Sequence, residues 1–134
     1  MEQAFLLRLP KGDDLLDSLT RVFRERGIKS AHFTVIGALK RATLAYYDDV
    51  QRRYVSRDFD GLREIAACMG NVSEKDGDTF VHAHMILSGE DFGCVGGHLT
   101  SGSEIFAAEL MAVPVPGPVG TRKFDEATGL YLWA

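Results

Sequence analysis

The sequence predicts an α+β fold, a largely antiparallel β-sheet with helix packed against it in a single compact domain, and three observations carry that expectation. From Ser30 onward, runs rich in β-branched, aromatic and aliphatic residues recur between tight-turn signals. One stretch near the start, after Asp14, has helical spacing instead. The chain has 134 residues, enough to bury one core, and strands joined by short turns imply an antiparallel sheet.

The elements follow in order. Gln3 to Leu9 reads as a first strand, stopped by Pro10-Lys11-Gly12. Asp14 caps the helix and Asp17 adds negative charge to its first turn, where backbone N–H groups lack partners. Leu15, Leu16, Leu19, Val22 and Phe23 form its apolar stripe, and Gly27 stops it. Strands are expected at Ala31–Leu39, Arg41–Tyr47, Arg53–Phe59 and Leu62–Met69. Asp48-Asp49, Asp60-Gly61 and Gly70-Asn71 are the turns between and after them. A polar loop at 74–78 precedes the strand that begins near Phe80. Ser103–Val113 is a further strand with a short helix as the alternative, 114–120 a Pro/Gly loop, and Leu130–Trp133 a closing strand reached through a turn at 123–129.

Composition narrows the function classes. With 46% apolar and 25% charged residues the chain is an ordinary globular protein, and it has no 18-residue apolar run to cross a membrane. Its start lacks the basic and apolar regions of an export signal. Cys68 and Cys94 therefore read as buried thiols of a reducing, cytoplasmic protein. A net charge of −4 argues against strong unaided binding to nucleic acid, which depends on basic residues neutralising phosphates. Nucleotide-binding and nucleophile-elbow motifs (Gly-x-Gly-x-x-Gly, Walker-type loops, Gly-x-Ser-x-Gly) do not occur.

The chemistry concentrates in residues 80–99, which hold three of the four histidines. His82 and His84 lie two apart in an alternating run, so both point to one face, their bases about 7 Å apart by strand rise. The turn signal Ser88-Gly89-Glu90-Asp91 reverses the chain, and a hairpin returns His98 towards them. Gly96-Gly97 before it marks a bulge or a close approach of two backbones. Three convergent imidazoles leave a coordination position open on a divalent metal, zinc being the first choice. Read singly, each histidine is equally a hydrogen-bonded residue of the core.

The order of motifs resembles the plants-and-prokaryotes-conserved (PPC) domain across nearly the whole chain, 1–134. The matching stretches are Ile36-Gly37-Ala38-Leu39, Glu64-Ile65, Met69-Gly70-Asn71-Val72-Ser73, His82-Ala83-His84, Gly96-Gly97-His98-Leu99, Glu109, and Arg122 with Asp125 and Thr128-Gly129-Leu130. The resemblance implies an antiparallel sheet flanked by a small number of α-helices, a homotrimer, and a metal site at His82, His84 and His98. It is to the stand-alone prokaryotic type, without the Arg-Gly-Arg-Pro AT-hook that carries DNA contact in plant members. DNA binding therefore attaches to this chain by family association only.

Two functions follow from these residues. One is a homotrimeric metal-binding scaffold or regulator, with a protein partner or a small anionic ligand. The other is a zinc-dependent hydrolase or lyase acting on a small anion, with Glu64 or Glu109 as base and Arg122 as an anion clamp. Paired aromatics such as Tyr47 and Tyr54 read as cross-strand packing, and Trp133 as a core or subunit-interface anchor.

Overall fold

The computed structural model describes residues 3–117 and 120–134, so Met1-Glu2 and part of the expected loop at 114–120 lie outside the described residues. The helix α1, Leu15–Glu25, begins where the sequence places it. Asp14 accepts a hydrogen bond from the Asp17 amide at 3.0 Å, and its other oxygen accepts from Gly102 and Ser103, tying the helix start to a distant turn. Leu15, Leu19 and Phe23 are fully buried, and the Phe23 ring sits 5.6 Å from that of Phe33. Gly27 ends the helix at φ +66°.

Among the described residues α1 is the only helix, and the expected α+β sheet flanked by a small number of helices is overturned: the fold is mostly β. Eight strands make it up: β1 (Phe5–Leu9), β2 (Ala31–Asp48), β3 (Arg53–Lys75), β4 (Asp78–Ser88), β5 (Cys94–Leu99), β6 (Glu104–Pro114), β7 (Thr121–Asp125) and β8 (Leu130–Trp133). Three expected breaks are not breaks. Asp60-Gly61 and Gly70-Asn71 lie inside the single 23-residue β3, and the gap expected at Lys40 lies inside the 18-residue β2. The β2–β3 register shifts between Thr34 and Gly37 and between Leu39 and Arg41, so these are irregularities of two continuous strands. Such shifts bend and twist a strand pair without ending it.

The bent β2–β3 ribbon curls until the sheet meets itself. The strand order is β1-β6-β2-β5-β4-β3-β7-β8, and β2 pairs with β3 as well as with β5, closing β2, β5, β4 and β3 into a ring. Phe33, Val35, Ile65, Val72, Met85 and Leu99 fill it with α1 packed alongside, and closure removes the free edges these strands would otherwise carry. The last seam is short: only Leu44↔Leu99 and Ala45↔His98 pair β2 with β5. Gly97 eases it, because a Cβ there would lie a tight 3.0 Å from the Ala45 carbonyl oxygen. The diglycine is a close approach, and the β4–β5 ladder runs past it without a register shift.

Gly37 tests this construction. At φ +144°, a Cβ would come within 2.0 Å of the Ala107 carbonyl oxygen, whereas the equally left-handed Gly61 (φ +88°) faces open space. Gly37→Ala is expected to lower stability by more than about 3 kcal/mol and Gly61→Ala by about 1 kcal/mol, read from urea unfolding.

Candidate metal centre

Strand alternation puts His82 and His84 on the outer face of β4, and the hairpin returns β5 antiparallel beside it so that His98 stands directly opposite His84. The three rings cluster, with centroids 4.9 Å (His82–His84), 5.0 Å (His82–His98) and 5.6 Å (His84–His98) apart. One nitrogen of each lies within 4.8 Å of the others, and the Nε2 atoms of His82 and His84 are 3.2 Å apart. Nitrogens bound at 2.0–2.1 Å on a tetrahedral zinc stand about 3.3 Å apart, so the donor type fits and the closest pair is already at ligand spacing.

The electrostatics disfavour the charged form of two of the rings, His82 and His98. Burial, the neighbouring His98, Arg122 and His84 together push His82 down to about 4. Burial first, then His84 and Arg122, also lowers His98. Neutral imidazole is the form that binds a metal, since its free lone pair is the ligand. Among the described residues His98 Nδ1 is buried without a hydrogen-bond partner, a donor or acceptor still to be used.

Arg122 reaches this group from β7, which runs parallel beside the end of β3. Only 7% exposed, its guanidinium donates to Ser73 Oγ (2.9 Å), the Tyr131 carbonyl (3.0 Å) and Asn71 Oδ1 (3.0 Å), and Nη2 stands 3.5 Å from His82 Nδ1. Tyr54 covers the other side, its ring 4.8 Å from that of His98 and 5.3 Å from that of Tyr47. Burial raises the Tyr54 phenol, helped by Tyr47 and opposed by Arg122, so it stays protonated. Two clefts flank the triad. A larger one of about 580 Å³ is lined by apolar and aromatic groups such as Tyr46, Met69 and Ile86. A smaller one of about 300 Å³ is lined by Arg52, Arg53, Lys75 and Arg122 and, among the described residues, by no carboxylate.

Of the candidate residues, the structure brings His82, His84, His98 and Arg122 together and leaves the two acids elsewhere. Glu64 is exposed on β3, opposite Ser88, in a different cleft. Glu109 is exposed on β6, opposite Arg8 and Ile36. His32 is exposed on β2, opposite Asn71. Cys68 is buried, its thiol pushed up to about 12, but Cys94 is exposed at the start of β5, against the expectation of two buried thiols. Trp133 is 57% exposed, so it is no core anchor; its ring lies 5.6 Å from the Arg122 guanidinium. Sequence reasoning singled out neither Asn71 nor Ser73 as a partner of Arg122. Their i, i+2 spacing on β3 was the available signal, since it puts both on one face.

Comparison with known proteins agrees with this architecture. The Plants and Prokaryotes Conserved (PCC) domain matches residues 1–116. A metal-containing protein from Archaeoglobus fulgidus is 42% identical, over 99% of this chain and 94% of that one, with a TM-score of 0.94. A plant- and prokaryote-conserved protein from Pyrococcus horikoshii is 34% identical, over 99% and 92%, with a TM-score of 0.95. A candidate DNA-binding protein from Ralstonia eutropha is 26% identical, over 96% and 89%, with a TM-score of 0.88. No curated protein sequence matches the chain.

The depressed His82 has a consequence for the metal-free protein. Between its ordinary 6.5 and about 4 the unfolded chain takes up a proton that the folded chain refuses, so this contribution to stability is complete above pH 6.5 and is lost as pH falls towards 4. Chelated protein is expected to unfold at lower urea at pH 5 than at pH 7, and His82→Asn to flatten that slope.

Proposed function

The chain belongs to the Plants and Prokaryotes Conserved domain family, and from that premise we propose that it is a self-associating metal-binding protein whose ion, zinc by first choice, is held by His82, His84 and His98. The observation that carries the reading is the convergence of three imidazoles, with His82 and His84 Nε2 already 3.2 Å apart. Its relative from Archaeoglobus fulgidus, described as metal-containing, supports it. Three imidazoles leave zinc a free position, where the ion supplies Lewis acidity and a docking point for a donor atom. The residues of this chain do the rest. Tyr54 screens His98 on one side, and Arg122 flanks His82 on the other.

A scaffold or regulatory role fits better than hydrolysis. A hydrolase of this kind needs a carboxylate near the ion, and neither Glu64 nor Glu109 lines the two clefts beside the triad. Self-association, as a homotrimer in the family pattern, is supported by the outer face. Leu6, Met111, Thr34, Met69, His84 and His98 oppose one another strand by strand from β1 to β5. Leu6 is 79% exposed and Met69 58%, an apolar row of the kind a second copy covers. A role at DNA would run through assembly with a protein partner, since the net charge of −4 disfavours direct contact.

Metal content tests the site. Purified wild-type protein is expected to carry about one zinc per chain by mass spectrometry. The double variant His82→Ala/His98→Ala should carry none while keeping its circular dichroism spectrum. Unchanged metal in the double variant would falsify the assignment. Leu6→Arg with Met111→Arg should convert the assembly to monomer in light scattering without loss of fold.

A further inference from the structure

Arg122 is a buried cation without a counter-charge. Among the described residues no carboxylate pairs with it; its partners are a hydroxyl, a carbonyl, an amide oxygen and an imidazole nitrogen, all neutral. Burying an unpaired charge is costly, and a folded protein keeps one where something answers it. The guanidinium opens onto the cleft of about 300 Å³ that also holds His82 and His98, and Arg52, Arg53 and Lys75 line the same space. Four cationic side chains and, among the described residues, no carboxylate in one small concavity focus positive potential there. Lys75 Nζ is held 3.8 Å from the Tyr131 ring centroid, and Arg122 lies 4.8 Å from that of Phe80, so aromatic faces position two of the charges.

We infer that this cleft binds a small oxyanion, a carboxylate or phosphate group, which supplies the counter-charge Arg122 lacks and faces the open side of the histidine triad. The inference rests on the metal reading for one further reason. His82 faces Arg122 Nη2 through Nδ1 and His84 through Nε2. An ion held at Nε2 requires the proton on Nδ1, which then ceases to accept from the guanidinium. A loaded triad therefore leaves one Arg122 N–H unanswered beside a second positive centre, and an oxyanion between them answers both. The volume limits the ligand to the lower end of small-molecule size. A ligand with an apolar or aromatic body would extend past His98 into the larger cleft beside Met69 and Ile86.

Calorimetric titration of the full chain, zinc-loaded and chelated, with inorganic phosphate and with oxalate separates the two oxyanion sources. At least one is expected to bind the loaded protein with a dissociation constant below about 1 mM. Arg122→Gln should weaken that binding by about tenfold or more, and Arg122→Lys by less, because lysine keeps the charge without the fork. Arg53→Gln, on an exposed side chain, should weaken binding about threefold and serves as the second variant where loss of Arg122 unfolds the chain. No binding of either anion by about 10 mM, or equal binding in wild type, Arg122→Gln and Arg53→Gln, overturns the inference. Zinc is quantified in every sample. Protein that binds no zinc defeats the metal reading alone, and the chelated arm then decides the oxyanion site by the same criteria.

Discussion

The seam between β2 and β5 is the constraint from which the site follows. Two residue pairs close the ring there, Leu44↔Leu99 and Ala45↔His98, and the missing side chain at Gly97 spares the approach of β5 to β2 a tight contact. The same pairing fixes His98 in register. One residue along, its ring would turn to the barrel interior, since side chains alternate faces. The β4–β5 ladder brings His98 opposite His84, and the seam holds that hairpin against β2 as the ring closes.

Much of this was legible in the residues, for reasons that differ from element to element. His82 and His84 two apart in an alternating run state their shared face outright, and a turn followed by Gly96-Gly97-His98 states the return. Asp14 and the Leu15, Leu19, Phe23 spacing state the helix with equal directness. The long strands were not legible, because Asp-Gly and Gly-Asn serve both turns and irregular strands. At Gly70 the reason is packing: a Cβ would meet the His82 carbonyl oxygen at 2.3 Å and the Phe33 ring at 2.6 Å. A glycine chosen for what presses on it reads, in one dimension, like a glycine chosen to turn. The further helices were expected from the family resemblance alone, and the one helix read from the residues themselves is the one the described residues contain.

Charge tells a second story about the same few residues. Asn71 and Ser73 hold Arg122 from β3, and the Tyr131 carbonyl holds it from β8, so the guanidinium pins the β7–β8 hairpin to the barrel. Tyr47 and Arg52, near the tip of the β2–β3 hairpin, add hydrogen bonds to the Thr128 and Glu126 carbonyls. The C-terminal hairpin is thereby a wall of the cationic cleft, built mostly on neutral acceptors. Neutral acceptors orient a guanidinium without cancelling its charge, and an uncancelled charge is what a pocket for anions requires.

The row that runs from Leu6 through Met111, Thr34 and Met69 ends on His84 and His98, so the apolar face and the imidazoles are one continuous surface. His84 is the most exposed of the three rings and stands on the apolar side, while His82 and His98 border the cationic cleft as well. A second copy seated on the row would strip water from His84 and leave the cleft beside Arg122 as the approach to the triad. Drying one side of a polar cluster strengthens every electrostatic interaction that remains on the other. Assembly and ligand binding would then share one free energy: whatever orders the apolar row also raises the worth of an anion held by Arg122, and by linkage the anion favours the assembly in equal measure.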